Sequence, residues 1–152
     1  MEEEFRRNER GINHMFGYAG YSLWKAGKIE EAEYLFNAYI ESREEMIKEV
    51  NYQGNYLFLN YILATVYAFT GKKEKAYEYL DLFAKERSHP LYRVTWFKND
   101  PMFDSIRHEE RFQKIMELVE GKYQAEHERV REWLEKTGRM KVFAAEISAN
   151  AN

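Results

Sequence analysis

Gly20-Tyr21-Ser22-Leu23-Trp24-Lys25-Ala26-Gly27-Lys28-Ile29-Glu30-Glu31-Ala32-Glu33-Tyr34-Leu35-Phe36 is the stretch that decides the fold of this chain. Phe16, Ala19, Gly20 and Leu23 recur at three- and four-residue steps, stop at Gly27, and give way to a new phase at Ala32, Leu35, Phe36, Tyr39 and Ile40. That period is helical. Gly27 follows the last apolar turn, where a left-handed cap costs least for a residue without a Cβ. Lys28-Ile29-Glu30-Glu31 restarts a helix at once, so the stretch predicts a helical hairpin with a very short connection.

The arrangement returns 44 residues further on. Leu59, Leu63, Val66 and Tyr67 lead to Gly71, then Lys72-Lys73-Glu74-Lys75 opens a helix carrying Ala76, Tyr79, Leu80 and Phe83. Gly20, Leu23, Gly27, Ala32 and Phe36 hold the same relative positions as Ala64, Tyr67, Gly71, Ala76 and Leu80. The small members let paired helices approach closely, and the large ones fill the grooves beside them. This pattern resembles the tetratricopeptide repeat. The usual period of that repeat is about 34 residues. The longer spacing here predicts an extended second helix, about Ile29 to Val50, and a turn around Gln53-Gly54.

A further unit begins at Ser88-His89-Pro90-Leu91-Tyr92. Its Phe97-Lys98, Asp100-Pro101, Phe103-Asp104, Ile106-Arg107 and Arg111-Phe112 resemble the closing unit of tetratricopeptide arrays in bacterial regulatory proteins. Asp100 is the expected N-cap, with Pro101 in the first helical position. The resemblance covers roughly residues 12–119. It implies an all-α superhelix of stacked hairpins, a shorter irregular third unit, and a non-catalytic interaction module, plausible as the C-terminal part of a larger regulator. The alternative function is a sensor that encloses a small apolar ligand between its aromatic helices. That fold is reused with many effectors, so it implies little about activity.

From Arg111 the apolar phase runs through Phe112, Ile115, Met116, Val119, Tyr123, His127, Val130, Trp133 and Leu134. One long amphipathic helix is expected from about Glu109 to Lys136, running through Gly121 and capped by Gly138. Its stripe is too apolar for water. Either its second half folds back across the aromatic concave face, or Tyr123, Val130, Trp133 and Leu134 pair with the same helix of another copy in a homodimer. Residues 1–138 are read as one helical domain and residues 139–152 as a mobile tail.

Composition sets the outer limits. The chain has 152 residues, no Cys, and 23 Lys plus Arg against 26 Asp plus Glu. That length suits one domain. Without Cys, neither disulfides nor thiolate metal sites can form. A net charge of −3, with no strongly basic segment, gives no reason to contact nucleic acid directly. The start, Met1-Glu2-Glu3-Glu4-Phe5-Arg6-Arg7, does not read as a signal peptide. Asn51 to Gly71 carries no charge, but its Asn, Gln and Thr residues make it too polar to span a membrane, so it reads as a buried helix. The cytoplasm is the expected compartment, with the periplasm left open.

The usual chemical motifs are missing. His108-Glu109 and His127-Glu128 lack the second His of a zinc hydrolase helix, because Phe112 and Arg131 stand there. Only Glu86 and His89 have the Glu-x-x-His spacing of a di-iron bundle, and that pattern needs two such pairs. Gly17-x-x-Gly20 sits in a helix with no preceding strand. No enzyme activity, metal or cofactor is expected. The resemblance places the concave surface on the first helix of each pair. It implies a peptide- or ligand-binding face of His14, Tyr21 and Trp24 with Phe58, Tyr61, Thr65 and Phe69, for a protein or peptide partner. Gly17, Tyr21 and Ile62 stand where a carboxylate-gripping variant of the family has its clamp residues, so that activity is not implied.

Overall fold

The computed structural model describes residues 15–49 and 57–139. Those residues are all-α, and no strand occurs among them. The helices are α1 (Met15–Lys25), α2 (Ile29–Glu49), α3 (Leu57–Phe69), α4 (Lys73–Ala84), α5 (Leu91–Asn99) and α6 (Glu110–Lys136), with a 3-10 turn at Pro101–Phe103. The expected turn around Gln53-Gly54, His14 and residues 140–152 lie outside the described residues.

Both hairpin turns close in the same way. Gly27 and Gly71 take φ of +78° and +79°. The Lys28 N–H donates to the Leu23 carbonyl at 3.0 Å and the Gly27 N–H to that of Trp24 at 3.0 Å. Lys72 and Gly71 repeat the pair on Tyr67 and Ala68 at 2.9 and 3.2 Å. These bonds satisfy carbonyls that the helix ends leave open, and the left-handed glycine turns the chain back on itself.

Small residues set how near the helices come. A Cβ placed on Gly20 would lie 2.6 Å from the Phe36 ring, and one on Gly17 would lie 3.1 Å from Cγ2 of both Ile62 and Val66. Helix α1 is therefore in contact with α2 on one side and α3 on another. Helix α3 is the centre of the molecule, buried without interruption from Tyr61 to Ala68. It packs against α4 and, on a further side, against the 3-10 turn. The charge-free sequence suits a helix with no face left for water.

Asp100 ties the units together. Its Oδ1 accepts the Met102 N–H at 3.0 Å, capping the 3-10 turn. Its Oδ2 accepts the phenols of Tyr18 on α1 and Tyr61 on α3, at 2.8 and 2.7 Å. Arg107 donates to the carbonyls of Lys98 and Asp100, closing the turn from behind. Beneath it the rings of Phe97, Phe103 and Phe112 meet with centroids 4.9 to 5.4 Å apart, joining α5, the turn and α6.

Helix α6 is 27 residues long and runs through Gly121, ending ahead of Gly138 at φ +71°. Phe112, Ile115, Met116 and Val119 are buried, and Tyr123 packs partly against the core. From Gln124 to Lys136 no residue is buried. Val130 and Trp133 are 40% and 46% exposed. The fold-back arrangement is thus corrected among the described residues: Val130 and Trp133, which it would bury, are exposed, and Leu134 is only half-buried, because α6 leaves the core after Tyr123. No helix among the described residues is long and apolar enough to cross a membrane.

Candidate functional site

The implied concave face divides in two. Tyr61 is 2% exposed and Thr65 0%. The third unit closes over Tyr61: its phenol is bound to Asp100, and the ring packs edge-on to Phe103 at 5.8 Å. The Thr65 hydroxyl donates to the Ile62 carbonyl of its own helix at 2.7 Å. Both residues are core in this fold and present no surface to a partner. The side chain of Phe58, like His14, lies outside the described residues.

Tyr21, Trp24 and Phe69 are brought together at the turn end of the hairpins. Phe69 lies near-perpendicular to both partners, its centroid 5.2 Å from Tyr21 and 5.5 Å from Trp24. Phe36 lies behind it at 5.5 Å and belongs to the core. Such edge-to-face contacts hold rings rigidly and add about 0.5–1.5 kcal/mol each beyond burial. Trp24 remains 38% exposed, and Tyr21 and Phe69 are half-buried. The Lys25 ammonium stands 5.4 Å over the Tyr21 ring. The result is a small, stiff aromatic platform with one cation at its edge. At Gly17 and Gly20, α1 touches α3 and α2 directly, so this seam encloses no space for a ligand.

Elsewhere, carboxylates serve as acceptors for tyrosines. Glu44 takes the Tyr67 phenol at 2.6 Å and that of Tyr79 at 3.5 Å, the two rings stacked 5.6 Å apart. Glu109 takes the Tyr77 phenol at 2.8 Å and the Lys73 ammonium. Burial first, then the adjacent carboxylate, pushes these phenols up, Tyr79 to about 12. Neutral phenols bonded to carboxylates fix helices to one another and offer no nucleophile. Among the described residues no group of three or more His, Asp and Glu could hold a metal ion. His127, expected on a packed stripe, is exposed, with its ring 5.9 Å from that of Tyr123.

Of the implied self-association residues, Tyr123 and Leu134 are half-buried while Val130 and Trp133 are exposed. The Arg139 guanidinium lies 4.9 Å from the Trp133 ring. The periodicity could not show the tyrosine pair on Asp100, since the partners are 82 and 39 positions away. Only the N-cap role of Asp100 carries a local signal.

No protein-family model, no curated protein and no solved structure matches this chain.

Proposed function

We propose that this chain is a non-catalytic, tetratricopeptide-like interaction module, the C-terminal part of a larger bacterial regulatory protein, that engages a peptide segment through Tyr21, Trp24 and Phe69. The single observation behind this reading is the aromatic platform. Three rings from two hairpins are held rigid and left partly open to solvent, so they offer contact area at low entropic cost. Groove residues further along α3 are taken up by the third unit, so the docking segment is short. The contact of α1 with both neighbours at Gly17 and Gly20 favours this reading over an enclosed apolar ligand.

The test is selection of binding peptides from a displayed library. Selected peptides are expected to lose at least tenfold in affinity against Trp24→Ala and Phe69→Ala, with the helical signal retained. Peptides that bind both variants as tightly as the parent would end the proposal.

A second surface has its own observation. The exposed Val130 and Trp133 on a helix that has left the core favour pairing with a second copy.

A further inference from the structure

The corner between α4 and α5 concentrates titratable groups inside the core, apart from the Asp100 junction. The side chains of His89 and Glu86 are 0% and 4% exposed, with Nδ1 of His89 4.0 Å from Oε2 of Glu86. Arg93, in the first turn of α5, donates to that same carboxylate oxygen at 2.8 Å. Lys122 reaches in from α6 and donates to the carbonyls of Ala84 and Glu86 at 2.6 and 2.7 Å. The Ala84 carbonyl is among the acceptors that the end of α4 leaves open, and that of Glu86 lies just beyond the helix. The Phe83 ring lies 4.6 Å from that of His89. Neither ring nitrogen of His89 has a hydrogen-bond partner, nor has Oε1 of Glu86 or Nε of Arg93. Arg93 from α5 and Lys122 from α6 are the charged groups whose fields reach the pair.

Two fixed cations beside it make this Glu-x-x-His pair a poor metal site. Burial instead acts on its two titrating groups in opposite senses. A carboxyl is uncharged when it holds its proton, an imidazole when it has lost one, and a dry site favours the uncharged form of each. We propose that Glu86 and His89 form a proton-compensating clamp at this corner: folded, the pair holds one proton on the carboxyl, and unfolding hands it to the imidazole.

Burial pushes Glu86 up to about 7, even though Arg93 and Lys122 pull it down. Burial, reinforced by Lys122 and Arg93, pushes His89 down to about 4. The folded value of Glu86 is raised, so its stabilisation is complete below the ordinary 4.5 and lost as pH rises through about 7. The folded value of His89 is lowered, so its stabilisation is present above the ordinary 6.5 and lost as pH falls toward about 4. In between, the proton that the carboxyl releases on unfolding is the one the imidazole takes up. The two dependences cancel, and the corner stays equally closed across mildly acidic to neutral conditions. Either group alone would make it a pH switch.

Denaturant unfolding of the full chain at about pH 5.5 and about pH 7.5 tests this, with the parent, Glu86→Gln and His89→Gln compared as ratios. From those positions of the two groups, the parent's unfolding constant is expected to change only about twofold between the two pH values. That of Glu86→Gln should rise about tenfold at the lower pH, and that of His89→Gln should fall about twentyfold. Should a variant not fold, nitrogen-detected NMR of the parent decides: the His89 ring must remain neutral at about pH 5.5, where a free imidazole is mostly protonated. The proposal is overturned if His89 is protonated there, or if either variant keeps the parent's pH response.

Discussion

The Tyr61 phenol and the Asp100 carboxylate form a buried hydrogen bond of 2.7 Å across 39 positions of sequence, and Tyr18 shares the same oxygen. Hydrogen bonds to a charged acceptor contribute about 1.5–3 kcal/mol each. Tyr61→Phe should therefore lower unfolding free energy by about that amount. Asp100→Ala should cost more than either phenol deletion, since it strands two phenols and the Met102 N–H. Urea titrations of the three variants check the order, and equal losses for all three would refute it.

Alkali should act on the same junction. Burial, then the Asp100 charge, pushes the phenols of Tyr18 and Tyr61 far above the ordinary 10.0, and burial takes Tyr39 to about 12. Raised folded values mean that the stabilisation is full below pH 10 and drains away as pH climbs beyond it. The urea midpoint is expected to drop steeply above that point, and less steeply in Tyr61→Phe. Parallel pH curves for the two chains would contradict this.

Two glycine substitutions should have opposite signs. At Gly20 a methyl group would sit 2.6 Å from the Phe36 ring, so Gly20→Ala forces α1 and α2 apart. The expected cost is about 1–3 kcal/mol. At Gly121 nothing lies within 4 Å of the added carbon. Gly121→Ala should then stabilise by up to about 1 kcal/mol through helix propensity alone. Thermal melts of both variants distinguish the cases.

Trp133 gives a prediction of a different kind. It is exposed and touches the Arg139 guanidinium, so at protein concentrations too low for pairing Trp133→Ala with Val130→Glu should leave the urea midpoint nearly unchanged. If a second copy covers this stripe, the double variant moves the protein from dimer to monomer in analytical ultracentrifugation. A parent chain already monomeric at tens of micromolar would remove the pairing proposal.

The hairpins were legible because their signals are local. Gly27, Gly71 and Gly138 each stand at the end of an apolar phase, and all take positive φ. Asp100 before Pro101 announces a cap for the same reason. The resemblance puts Tyr61 and Thr65 on an open face, whereas both are buried here, because a family's groove positions do not say which neighbour of this chain covers them. The uncharged run around α3 already indicated a helix covered on every side. Around His89 only the Glu-x-x-His spacing to Glu86 is legible in the sequence, as Lys122 arrives from 36 positions beyond Glu86.

Helix α6 has a mechanical consequence. From Gln124 onward it has no buried residue to hold it, yet the helix continues unbroken to Lys136. Those 13 residues make a rod about 20 Å long at 1.5 Å per residue. A tilt of about 10° at its root would carry the tip through roughly 3–4 Å, given that length. Lys122 stands at that root, gripping the end of α4. The rod is a lever with its fulcrum at the α4–α5 corner, so a sub-ångström adjustment there is magnified several-fold at Trp133.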